Sequence, residues 1–243
     1  TPRLVLVTGA TGYVGGRLIT ELLSAGLAVR VLVRDKARVS GHVWAGKVDV
    51  IQGDANNPAD LKSSLVGVHT AFYLLHSLNT GPDFASIEYT MAQTFATAAK
   101  SANISQIIYL GGISNDAYAS KHLNSRTAVG DALKNSGIPT IELRAGMIIG
   151  SGSASFEMLR HLTHRLPIMT TPKWIHNRTH PIAIRDVLWY LKEVSLLPQP
   201  VSGIYDMGGP DILTYAELMQ AFAKISDLPK RIIAVSYTHL TLP

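Results

Sequence analysis

Short apolar runs rich in β-branched residues alternate along this chain with longer segments in which apolar positions recur at three- and four-residue spacing. The runs at 4–7, 29–33, 48–52, 69–74, 106–110 and 140–143 predict six strands. Segments 14–24, 58–65, 84–102 and 121–135 predict the helices that cross between them. The strand runs are almost unbroken in apolar character, as suits a parallel sheet covered by helices on both faces. After residue 150 the rhythm loosens into a helix at 154–164, an irregular stretch at 166–181 that contains proline, and helices at 184–195 and 214–226. The expectation is an α/β fold: a doubly wound parallel sheet over 1–150, with a small lobe over 151–235 folded onto the carboxyl edge of the sheet, where open α/β sheets bind ligands. Residues 236–243 carry neither pattern and resemble translated adapter read-through. They are expected to be a non-native tail, with native sequence continuing past about residue 235.

With 243 residues, 47% of them hydrophobic, the chain can bury a full core. The formal charge is +5 and the sequence pI about 9.4, yet no cluster of Lys or Arg stands out. That argues against nucleic acid as a partner and leaves a mildly basic surface or a site for a polyanionic cofactor. The absence of cysteine excludes disulfides, thiolate metal sites and cysteine nucleophiles, and fits a reducing compartment; the cytoplasm is expected. No run approaches the ~18 apolar residues of a transmembrane helix, and the amino end lacks the layout of a signal peptide. Thr1 stands where a start methionine would be, so the chain is expected to be clipped at its front.

Thr8-Gly9-Ala10-Thr11-Gly12-Tyr13-Val14-Gly15 follows the first strand directly and opens the first helix. That is the context a dinucleotide-binding turn requires. Gly9 permits the tight turn, Gly12 lets the backbone approach a pyrophosphate, and Gly15 lets helix and strand pack closely. Thr8, Gly9, Thr11, Gly12, Tyr13, Val14 and Gly15 are therefore expected at the cofactor, with the helix amides facing the phosphates. The second strand ends on Arg34, where a protein selective for NAD places an acid at the ribose. A guanidinium there suits a 2′-phosphate, with Lys36 or Arg38 adding to it, so NADP is favoured and NAD is the alternative. Asp54, after the third strand, is placed either to accept from the adenine amine or to cap the helix near Pro58. Leu74, Leu75 and His76 close the fourth strand and are expected beside the ribose and diphosphate.

These motifs, with Gly53-Asp54, Pro181-Ile182-Ala183-Ile184-Arg185-Asp186-Val187 and Tyr205-Asp206-Met207-Gly208-Gly209-Pro210, resemble the atypical extended short-chain dehydrogenases/reductases. The similarity runs over about residues 3–235, to the group of NmrA-like and complex I 39-kDa-subunit-like NAD(P)H-binding proteins. A bacterial subgroup carrying an extra carboxy-terminal domain of unknown function is closer still. The resemblance implies a Rossmann sheet and a catalytic Tyr with Lys four residues later on the helix after the fifth strand. Here that helix opens Lys121-His122-Leu123-Asn124-Ser125-Arg126, without that pair. His122 and Arg126 are the positional counterparts, a proton carrier and a cation one helical turn apart. Tyr118 with Lys121, spaced by three, strains the geometry of such a pair. The family's carbonyl-polarising serine has Ser114 as its candidate, and Gly112 marks the vacated position.

Residues 145–150 are expected beside the nicotinamide, with Arg144 at its edge. Phe156, Met158, Leu159, Trp174 and Ile175 read either as an apolar pocket for a flat substrate or, more simply, as core. His176, Arg178 and His180 alternate, but no acid or cysteine near them completes a metal site, and none is expected. Two functions follow. One is an NADPH-dependent oxidoreductase acting on a quinone or small carbonyl compound; the other is a non-catalytic NADP(H)-binding redox sensor or assembly protein with a protein partner. A sugar epimerase is disfavoured, since that chemistry leans on the missing tyrosine.

Overall fold

The computed structural model describes residues 2–76, 83–113, 121–165, 168–171, 173–229 and 232–235. The chain divides into two compact units, one formed by residues 1–145 and 185–207, the other by 146–184 and 208–243.

The first unit holds seven strands: β1 (Leu4–Thr8), β2 (Ala28–Val33), β3 (Asp49–Gln52), β4 (Thr70–Tyr73), β5 (Gln106–Gly112), β6 (Thr140–Ala145) and β7 (Gly203–Met207). They lie in the order β7-β6-β5-β4-β1-β2-β3, and every pairing is parallel. Between them run α1 (Tyr13–Ser24), α2 (Pro58–Leu65), α3 (Phe84–Ser101) and α4 (Lys121–Lys134). This is the doubly wound Rossmann sheet, with one strand more than the six expected. β7 escaped because three of its five residues are exposed, as befits an edge strand, so it lacks the unbroken apolar run of its neighbours. The segment 185–207, assigned to the small lobe from sequence, supplies this strand and most of α6 (Ile184–Leu196) to the first unit.

Both faces of the sheet are covered. Leu6, Tyr73, Ile107 and Tyr109 pack with Leu61 and Leu65 of α2, Phe95 and Ala99 of α3 and Leu133 of α4. Val5 and Val7 alternate with Leu6 and are equally buried, so the opposite face is closed as well. Local sequence sets the helix ends. Asn57 caps α2 by accepting from the Ala59 amide at 2.9 Å, with Pro58 at the first position. Two guanidiniums cap helix ends from the sheet: Arg30 donates to the carbonyls of Ser64 and Val66, and Arg3 to those of Ser195 and Leu197.

On β6, buried Glu142 accepts from Arg144 Nε at 2.8 Å through Oε1. Its Oε2 makes no hydrogen bond and is neutralised from 3.4 Å by Lys134 of α4. Side chains at Gly111 or Gly130 would collide with this carboxylate. Removing this acid takes a buried charge partner from both cations, a loss partly relieved because Lys134 keeps Asp131 at 3.0 Å. Glu142→Ala is expected to lower stability by about 2–3 kcal/mol, read as a shifted urea midpoint. A loss below about 0.5 kcal/mol, the level of an exposed pair, would show the cluster to be incidental.

The second unit has its own core, in which Met147, Leu159, Ile175, Leu218 and Met219 are buried and Phe156 and Phe222 pack against them. Leu159 and Ile175, weighed above as pocket residues, are core, while Met158 of α5 (Ala154–Arg165) is exposed. α7 (Tyr215–Ile225) opens on a reciprocal capping box between Thr214 and Glu217. His180 donates from Nε2 to the Gly209 carbonyl at 2.6 Å, and the Gly209 amide donates to Pro181 at 2.8 Å. Two of the motif segments are thus tied together, and His180 is spent on structure. Among the described residues no group of His, Cys, Asp or Glu has the makings of a metal site, and no helix is long and apolar enough to cross a membrane. Residues 236–243 lie outside the described residues.

Candidate functional site

Strand order reverses between β1 and β4, and open α/β sheets bind ligands at the carboxyl end of such a switch point. The glycine turn sits there. Gly9 has φ of +70°, and a Cβ on it would stand 2.5 Å from the Leu74 carbonyl oxygen at the end of β4. The two strand ends can approach so closely only because Gly9 has no side chain. The Gly12 amide closes the turn on the Gly9 carbonyl at 2.9 Å. A Cβ at Gly15 would run into that same carbonyl, so the third glycine lets the helix seat on the turn.

Gly12 is the N-cap of α1, with φ −80° and ψ 171°; no side chain caps the helix, and its first turn holds no acid. A helix start left without a side-chain acceptor, between glycines that expose the backbone, is suited to an anion. The cradle therefore fits an anionic group such as a dinucleotide's phosphates, which the amides at the start of α1 would hold.

Around the cradle the expected residues divide. The Thr8 hydroxyl is buried, donating to the Phe72 carbonyl at 2.9 Å and accepting from the Leu74 amide at 3.2 Å. It latches β1 to β4 and sets the turn. Thr11 and Val14 are half-buried at the turn, and the Tyr13 ring lies 4.0 Å beneath the Arg17 guanidinium. Arg34 is exposed at the end of β2, as are Lys36 and Arg38. The only acid among them, Asp35, is occupied in capping a short 3-10 turn through the Ala37 amide at 2.9 Å. Asp54 does not cap α2, since Asn57 holds that position. Its carboxylate instead accepts from the amide and side chain of Asn56 at 2.9 and 3.0 Å, and its own amide donates to Asp60.

Toward β5 and α4 the site becomes cationic. A Cβ on Gly112 would stand 3.1 Å from Nη1 of half-buried Arg126. No carboxylate among the described residues lies within ion-pair distance of that guanidinium. Its stretch of α4 is held from below, by Tyr109 donating to the Arg126 carbonyl at 3.0 Å and by Ser125 donating to buried Glu88 of α3 at 2.5 Å. Burial, reinforced by the Arg126 charge, pushes the His76 imidazole down to about 3, so it is neutral at physiological pH. Burial drives the phenols of Tyr73 and Tyr109 well above their ordinary range. Neither is a ready acid. Ser114 and Tyr118 lie outside the described residues, as does the side chain of His122, which falls in the first turn of α4.

The family assignment rests on this sheet, this turn and the match of residues 1–240 to the model of the NmrA-like family. The chain belongs to the NmrA-like family. Among curated relatives it is 27% identical over 238 residues to a ceramide reductase of Caulobacter vibrioides, covering 95% of this chain and 73% of that protein. It is 25% identical over 240 residues to the photosystem II assembly factor Ycf39 of Cyanophora paradoxa, covering 93% and 71%. Among solved structures, the Citrobacter sp. triphenylmethane reductase complexed with NADP(H) superposes with a TM-score of 0.77 at 21% identity. That match covers 96% of this chain and 79% of that one. The family is the NmrA-like one that the motifs implied, and the sheet is the doubly wound Rossmann architecture expected.

Proposed function

We propose that this NmrA-like chain binds NADPH on the β1–α1 turn and reduces a quinone or small carbonyl compound. The observation that carries the reading is the uncapped, acid-free start of α1 over three glycines, with Arg34, Lys36 and Arg38 exposed at the end of the adjacent strand. That arrangement suits a dinucleotide with an extra phosphate better than one without. The naming of relatives as reductases supports the same chemistry.

A bound nicotinamide supplies the hydride. The chain's own part is to position the acceptor and stabilise charge on its oxygen. Arg126 suits the second of these roles, because a half-buried cation without an acid partner among the described residues attracts the negative charge that builds on a reduced oxygen. His76 stays neutral and offers a hydrogen bond, not a proton. With no Tyr in α4, charge stabilisation takes the place of the family's tyrosine–lysine pair, and water delivers the final proton.

A panel of quinones and aldehydes, followed by loss of NADPH absorbance, tests this reading. Turnover is expected with at least one acceptor, and Arg126→Met is expected to lower kcat by about 100-fold while the NADPH Kd changes by less than about threefold. Binding without turnover on any acceptor would favour a second reading, a redox sensor or assembly protein. The similarity to an assembly factor over 93% of this chain supports that alternative.

A further inference from the structure

We propose that Trp44 is a positioning residue for cofactor selectivity, tying the cationic segment after β2 to the helix that receives the pyrophosphate. The inference rests on the NADPH reading and adds the device that would make the selectivity effective. Arg34, Lys36 and Arg38 are exposed on a segment that has left the sheet, and long cations on a loose loop lose affinity to the entropy of ordering.

This segment is not loose. It winds through successive turns, with hydrogen bonds from Arg38 to Asp35, His42 to Val39, Ala45 to His42 and Lys47 to Trp44 along the backbone. Two side chains pin it, Val39 at 4% exposure and Trp44 at 2%. The Trp44 indole donates from Nε1 to the Gly16 carbonyl at 2.9 Å. Gly16 lies one turn into α1, its amide bonded to the Gly12 carbonyl at 3.0 Å.

The indole therefore bonds directly to the first full turn of the phosphate helix. His42 stacks on it with ring centroids 4.5 Å apart and planes 18° apart. A Cβ on Gly16 would stand 3.6 Å from the His42 ring and 3.3 Å from the Ala10 carbonyl. A large side chain at residue 16 would displace the stack; glycine leaves it room.

NADPH and NADH share the pyrophosphate and differ only in the 2′-phosphate. Loosening the anchor should therefore weaken the first and spare the second. The test measures the Kd of each cofactor from nicotinamide emission, excited directly, for the wild type, Trp44→Phe, Arg34→Ala and the double variant. Phe keeps an aromatic face for the His42 stack, removes the N–H and leaves only the small cavity of the lost pyrrole ring. Trp44→Phe is expected to raise the NADPH Kd about fivefold, the worth of one hydrogen bond, and to leave the NADH Kd within about twofold. On the Arg34→Ala background the same change is expected to have less than about a twofold effect, because the two residues act through one loop. Equal loss for both cofactors, no loss for either, or a full effect without Arg34 would each overturn the proposal. If Trp44→Phe does not fold, His42→Ala, which strips the stack from the indole, is measured in its place with the same expected direction. A wild type without preference for NADPH would instead refute the cofactor reading on which the anchor stands.

Discussion

Gly12→Val is expected to bind NADPH about 100-fold more weakly than the wild type while folding normally. The two effects separate because of where Gly12 sits. Its φ of −80° and ψ of 171° are open to any residue, and an added Cβ meets only the Gly9 carbonyl, at 3.1 Å, which a shift of a few tenths of an ångström relieves. The fold therefore accepts a side chain there, but the space in front of the helix amides does not stay open. Gly15 is the contrasting control: a Cβ there runs into the turn itself, so Gly15→Val is expected to cost stability as well as binding. Circular dichroism melts alongside fluorescence titration check both. Unimpaired NADPH binding by a folded Gly12→Val protein would remove the pyrophosphate from this turn.

Arg34→Asp is expected to change the ratio of NADPH to NADH dissociation constants by about 100-fold in favour of NADH. A charge-assisted hydrogen bond to phosphate contributes about 1.5–3 kcal/mol, and a carboxylate in its place repels the 2′-phosphate while accepting from the ribose hydroxyls of NAD. Arg34 has no acid partner among the described residues and is exposed, so its loss breaks no ion pair among them. Parallel titrations with the two cofactors measure the effect. An unchanged ratio would assign phosphate recognition to Lys36 or Arg38, or to no part of this loop.

The fold was largely legible in the order of residues, because a parallel strand buried on both faces must be apolar throughout. The inner strands carried that signature, and edge strand β3 kept enough of it in Val48, Val50 and Ile51 to be found; β7 did not, since Ile204, Tyr205 and Asp206 are exposed at the sheet edge. Its placement in the first unit, after a 39-residue excursion over 146–184, depends on long-range pairing that no local pattern encodes.

At the site, glycine spacing located the turn because only missing side chains allow those contacts. Short polar residues were harder to assign. Asp54, Asn56 and Asn57 all favour turns and caps, and which of them capped α2 was decided by backbone geometry. Thr8 sits in the motif, yet its hydroxyl is consumed by β4. Trp44 gave one signal that sequence reasoning passed over, a single large aromatic among Gly, His and Lys in a polar segment. Such a residue must bury its ring and satisfy its N–H somewhere, and α1 is where it does both.

The most direct test of the central claim is titration of purified wild-type protein with NADPH and NADH, followed by nicotinamide fluorescence. Saturable binding of NADPH, tighter than that of NADH, is the predicted result. Failure of both cofactors to bind would contradict the assignment of the glycine turn as a dinucleotide site.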